Sequence, residues 1–305
     1  MPRIAYRTIN LQARALETIG LIGSMIEEYK SQGLSLTVRQ IHYQMVARGL
    51  MPNSAATYNH VQSCVNKGRL AGLLDWEAIE DRGRALRGLT HDISPAHAIA
   101  HALRAYRLDK WADQPFRPEV WVEKQALEGV IEGICNELQV DFYSCRGYNS
   151  QSEQWRAGQR FARYVQQGQR PIVFHLGDHD PSGVHMTVDN RDRLTEFAGT
   201  PVMVQRIALN YQQIEEYEPP ENFAKEGDSR TTFYEEHMAS VGGDPSLSWE
   251  LDALDPRVIR DLIRSAVDRV RDEDRWEIAL AQEVEDKRLL EEQIEAMGGI
   301  EEETE

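Results

Sequence analysis

The chain has 305 residues, is 41% hydrophobic and 28% charged, and carries a formal net charge of -16; that length suits two domains, each with its own core. No apolar run approaches the ~18 residues of a membrane helix, and the opening MPRIAYRTIN lacks the apolar stretch of a signal peptide. Three scattered cysteines, Cys64, Cys135 and Cys145, form neither a disulfide framework nor a CxxC metal site, so a cytoplasmic protein is expected.

In chain order, residues 8 to 31 predict a helix, with Leu11, Leu16, Ile19, Ile22 and Ile26 near helical spacing and Gly33 as its breaker. LTVRQIHYQMVARGL predicts a second: Thr37 is its N-cap, and Val38, Ile41, His42 and Met45 share one face. The turn MPNSA leads to a third, roughly 55 to 70, which carries Lys67 and Arg69. LLDWEAIEDRGR reads as a short hairpin or wing. Three helices and a wing predict a winged helix-turn-helix over residues 1 to 88.

Residues 89 to 118, with Pro95, Pro115 and Pro118, read as a connector. Beyond it strands and helices alternate over 119 to 255. EVWVE, QVDFYSC, PIVFHLG and PVMVQRIAL are the strands, and helical stretches separate them. This predicts an α/β domain with a mainly parallel, Rossmann-like sheet. Residues 256 to about 297 predict one long helix, ended by Gly298 and Gly299 and followed by an acidic tail within 256 to 305. The charge is divided along this plan: residues 1 to 120 carry a net +4 and residues 121 to 305 a net -20. A basic binding half and an acidic remainder are expected.

The stretch HLGDHDPSG places Asp178 and Asp180 one residue apart at the end of the third strand, and Glu123 ends the first. Ligands of parallel α/β sheets gather beyond the carboxyl ends of the strands. Three carboxylates there would suit Mg²⁺, which offsets their mutual repulsion, while Gly177 and Gly183 permit close approach. The alternatives are that the aspartates only cap the next helix or belong to a calcium loop. A strand before the loop and Asp189 at its twelfth position argue against calcium.

A lone Glu ending one strand and GDHDPSG ending a later one resemble the Toprim domain of topoisomerases, primases and some nucleases. The Pro and Gly after the second Asp look like the A subunit of topoisomerase VI and its relative, the meiotic double-strand-break transesterase. That family carries an upstream winged helix with an Arg four residues before a nucleophilic Tyr, and VRQIHY supplies Arg39 and Tyr43. His42 departs from the family's Tyr or Phe. RGYNSQS (146 to 152) and WELDALDP (249 to 256) resemble further family segments.

The resemblance implies a DNA-cleaving transesterase of type IIB topoisomerase kind. Tyr43 would attack a backbone phosphate, leaving a 5′-phosphotyrosyl link and a free 3′-OH. Arg39 would assist, favouring the phenolate from one turn away on the polar face of the helix. Mg²⁺, with Mn²⁺ as substitute, would sit on Glu123, Asp178 and Asp180, Glu123 doubling as acid/base. Lys67, Arg69, Arg82, Arg84 and Arg87 would bind duplex DNA phosphates. The family implies a homodimer in which Tyr and metal come from opposite protomers, a nucleoid-associated location and a separate ATPase subunit, since the chain has no GxxxxGK[ST] loop. The competing readings are a Toprim-type nuclease in which water attacks and a non-catalytic DNA-binding protein.

Overall fold

The computed structural model describes residues 3–76, 78–79, 91–145, 147–224 and 227–296. These form eleven α-helices, a four-stranded parallel sheet and a two-stranded antiparallel one. None of the described helices is long and apolar enough to cross a membrane.

The first three helices are α1 (Ala13–Lys30), α2 (Val38–Ala47) and α3 (Ala55–Leu70). Each predicted helix is present. The first starts later than expected, so Leu11 precedes it and Leu16 is 47% exposed. Ile19, Ile22 and Ile26 of α1 close a core with Ile41 and Met45 of α2 and Val61 and Val65 of α3. Thr37 begins α2 as expected and adds a capping box: its side chain accepts from the Gln40 N–H (3.3 Å), and the Gln40 Oε1 accepts from the Thr37 N–H (2.9 Å). Of the expected wing, Ile79 bridges Leu36 in a parallel pairing; the segment from 80 to 90 lies outside the described residues.

The connector contains a helix, α4 (Pro95–Ala105). Pro95 occupies the first turn, where a missing N–H costs nothing, behind the capping Ser94. Pro95 is therefore a helix start inside the expected connector.

The parallel sheet comprises β1 (Phe116–Val122), β2 (Asp141–Ser144), β3 (Arg170–Leu176) and β4 (Met203–Ala208), in the order β2-β1-β3-β4. All four predicted strands are present. Pro118 is tolerated in β1 because pairing with β2 begins only at Glu119. The intervening helices are α5 (Glu128–Leu138), α6 (Gln151–Gln166) and α7 (Pro181–Ala198). Strand side chains alternate between two cores. Val120, Val122, Ile172, Phe174 and Leu176 meet α5 and the later α10 (Pro256–Asp268), whereas Trp121 and Val173 meet Phe161 of α6 and Met186 and Leu194 of α7.

Between β4 and α10 lie elements beyond the expected ones: α8 (Tyr211–Tyr217), β5 (Glu221–Phe223), α9 (Thr231–Val241) and β6 (Leu247–Trp249), with β5 and β6 antiparallel. The expected single C-terminal helix is two, α10 and α11 (Glu273–Ala296). The Gln114 side chain holds the break. Its amide donates to the Asp272 carbonyl (2.9 Å) and its oxygen accepts from the Asp272 N–H (2.7 Å). Gly298 and Gly299 lie outside the described residues.

Candidate active site

From β1 the chain moves to one side, to β2, and then crosses to the other side, to β3 and β4. The β1 and β3 carboxyl ends thus flank the point where the strand order reverses, the usual ligand crevice of such sheets. Glu123 follows β1 and its N–H donates to the Leu176 carbonyl (2.8 Å). Gly177 and Asp178 follow β3, and the Asp178 N–H donates to Glu123 Oε2 (2.9 Å). Asp180 is the N-cap of α7; its Oδ1 accepts from the Gly183 N–H (2.6 Å) and the Ser182 hydroxyl (2.9 Å). Gly183 is required by close approach: a Cβ there would lie 2.3 Å from the Asp178 carbonyl oxygen and 2.9 Å from Glu123 Oε2.

A second segment completes the crevice. His179 and Trp249 exchange backbone hydrogen bonds (2.8 and 3.0 Å), which pins β6 to the loop after β3. The Leu251 N–H then donates to Asp178 Oδ1 (2.8 Å). Among the described residues, Asp178, Glu250 and Asp252 present ligand atoms within 4.8 Å of one another. Lys124 Nζ lies between them, 3.0 Å from Asp178 Oδ1, 2.8 Å from Asp252 Oδ1 and paired to Glu250. Of the three carboxylates expected as ligands, the structure places only Asp178 in this cluster. Glu123 and Asp180 stand beside it on either flank of Gly183, and Asp180 also caps a helix, as the simpler alternative had it. Glu250 and Asp252 were not singled out as ligands. Their signal was the acid-x-acid pattern inside WELDALDP, and that of Lys124 a cation directly after Glu123.

The electrostatics follow from enclosure. Burial, reinforced by Glu123, Glu250 and Asp252, pushes the Asp178 carboxyl up to about 8 against the pull of Lys124. Burial and the neighbouring Asp180 also raise Glu123. Burial opposes the Lys124 charge, yet Asp178, Asp252 and Glu250 outweigh it and raise that ammonium. Arg206 of β4 braces the loop: its guanidinium donates to the carbonyls of Gly177 (2.8 Å), Asp178 (2.5 Å) and Gly183 (2.8 Å). Burial draws Arg206 down to about 10. The three histidines of the segment are structural in their contacts: His175 meets the Thr187 hydroxyl, His179 the Leu209 carbonyl and His185 the Tyr148 hydroxyl.

The donor set fits a divalent cation. Every donor is a carboxylate oxygen, a hard ligand. Asp252 is 2% exposed, and its Oδ2 makes an ion-pair contact with Arg39 Nε (3.1 Å).

The helical unit reaches the same cluster. Arg39 Nη2 lies 2.8 Å from a Glu250 oxygen and Arg39 Nε 3.1 Å from Asp252 Oδ2, while Nη2 donates to Tyr43 Oη (3.1 Å). Tyr43, expected on the polar face of α2, is only 6% exposed. One face of α2 meets the helical core, and the helix also contacts the 3-10 turn Leu251–Ala253. Burial and Asp252 raise the Tyr43 phenol; Arg39 pulls the other way, as expected of it, but does not prevail. A cleft of about 260 Å³ opens beside this pair, lined by Arg39, His42, Tyr43, Asn53, Ser54 and Tyr58.

Of the expected phosphate contacts, Lys67 is exposed in the last turn of α3. Arg69 instead donates to the carbonyls of Trp76 (2.9 Å) and Ile79, stapling the chain after α3. Arg82, Arg84 and Arg87 lie outside the described residues. No protein-family model and no curated protein matches this chain.

Proposed function

We propose that this chain is a DNA-cleaving transesterase of the topoisomerase VI A-subunit type, with residues 1 to 88 as a winged helix and 119 to 255 as a Toprim domain. The observation that carries the reading is the Arg39–Tyr43 pair standing against an all-carboxylate cluster at the switch point of a parallel sheet. Tyr43 Oη would attack a backbone phosphorus; the phosphorus–O3′ bond breaks, the phenolic proton passes to a carboxylate of the cluster, and the leaving O3′ takes a proton from water to become the free 3′-OH. Arg39 suits the incoming phosphate, because its planar fork binds two oxygens at once. Asp178, Glu250 and Asp252, with Glu123 and Asp180 beside them, would hold Mg²⁺ or Mn²⁺. When bound, that ion supplies charge stabilisation for the phosphate oxygens. Duplex DNA, a second copy of the chain, a separate ATPase subunit and a nucleoid location belong to the same proposal.

The low exposure of Tyr43 favours a second reading, a nuclease in which water attacks. One experiment separates them: wild type and Tyr43→Phe are incubated with supercoiled and linear duplex and Mn²⁺, then denatured and assayed for protein-linked 5′ ends. The transesterase reading expects adducts from wild type alone and no cutting by Tyr43→Phe, since the missing oxygen is a reactant. Free 5′ phosphates released equally by both proteins would establish the nuclease.

A further inference from the structure

The contact between the helical unit and the α/β unit is polar. Among the described residues the helical core and the two sheet cores are separate clusters. Joining them are Arg39 to Glu250 and Asp252, Tyr29 Oη to Asp255 Oδ2 (2.7 Å), and Arg260 to the Gln32 carbonyl (3.2 Å). The Arg39 joint uses the carboxylates that a divalent cation needs. Arg39 and Lys124 together surround Glu250 and Asp252 with two positive charges.

We infer that Arg39 and Lys124 form an internal-cation latch: they neutralise the carboxylate cluster, hold α2 against the α/β unit with Tyr43 buried, and give way when a divalent cation binds. This rests on the reading that the cluster takes such an ion. Cation and latch exclude each other by charge and by distance. An ion coordinated a little over ~2 Å from these oxygens competes for their lone pairs with the ammonium 2.8 Å from Asp252 Oδ1 and repels it. Because coupling is reciprocal, an ion that loosens the latch binds more tightly once the latch is cut. Release frees the Arg39 guanidinium from carboxylates and opens the adjoining cleft to a phosphate. Tyr43 is thereby kept buried, and Arg39 engaged by carboxylates, until the ion is in place.

The test needs no DNA and no turnover. Hydrogen exchange of peptides spanning residues 38–47 is followed in the full chain with and without MgCl₂, with KCl matching the ionic strength. Mn²⁺ affinity is measured by calorimetry for wild type, Arg39→Gln and Tyr29→Phe. Mg²⁺ is expected to speed exchange in 38–47 while leaving β3 unchanged. Arg39→Gln should exchange fast without the ion and bind Mn²⁺ about tenfold tighter, within the usual range of coupling. Tyr29→Phe leaves every carboxylate intact, so it shifts both readings the same way more weakly and covers the case in which Arg39→Gln does not fold. Ion binding with unchanged exchange, or variants that bind no tighter, overturns the latch. A wild type that binds no divalent ion overturns the latch and the metal part of the proposed function together. Absent phosphotyrosyl adducts with a working latch would remove only the transesterase.

Discussion

His175, next to last in β3, has no exposed surface, one nitrogen on the Thr187 hydroxyl (2.8 Å) and the other unpartnered. Burial, then Arg206, pulls its pKa down to about 3. A free histidine titrates near 6.5, so the contribution of His175 to stability is fully present above about 6.5 and is lost as pH falls towards 3. Asp178 acts in the opposite sense, since its raised carboxyl costs stability as pH rises from about 4 to about 8. The two are separated by difference. Between pH 7.5 and 5, His175→Gln should lose less stability than wild type by about 2 kcal/mol, the worth of ~1.5 pH units on one fully buried group. Urea unfolding at both values measures it, and parallel pH profiles would refute the assignment. Single residues were legible in part where the strand-end rule applied: Glu123 and Asp180 come to Gly183, while the Asp178 carboxylate joins the neighbouring cluster. Glu250, Asp252 and Arg206 were not, because they arrive through pairings such as His179 with Trp249, which no local pattern announces.

Among elements, α2 carries the most chemistry on the fewest turns. Its capping box satisfies backbone groups at the end nearest Arg39. Thr37→Ala should cost about 1 kcal/mol of unfolding free energy, the usual worth of such a cap. Denaturant titration checks this, and an unchanged midpoint would show the cap to be idle. Long elements with a regular period were readable: the first three helices and all four parallel strands fall where hydrophobic spacing puts them. The short ones were not. The three-residue strands β5 and β6 are too brief to show a period, and the break between α10 and α11 is imposed by Gln114, 158 positions away.

For the molecule as a whole, the uneven charge is the feature to measure. A net +4 over residues 1 to 120 and -20 over the remainder make duplex DNA affinity, if the proposed function holds, a property of the helical end. Lys67→Glu should weaken binding to unrelated duplexes alike and reduce the salt slope by about 1, because one phosphate contact then releases no counterion. Fluorescence anisotropy across a KCl series would show it. A loss confined to one sequence would point to base contacts, against the expectation.

The polar joint between the units also has an order in time. Tyr29 and its acceptor Asp255 are 226 residues apart. A ribosome adding roughly 5–20 residues per second needs about 10–45 s to cover that distance. Throughout this interval the three N-terminal helices can complete their own core, but Arg39 has none of its carboxylates to meet. The nascent half is therefore basic and undocked, and any polyanion nearby meets the guanidinium before the chain's own acids exist. Translation thus leaves Arg39 without Glu250 and Asp252, the two carboxylates that engage it in the finished protein.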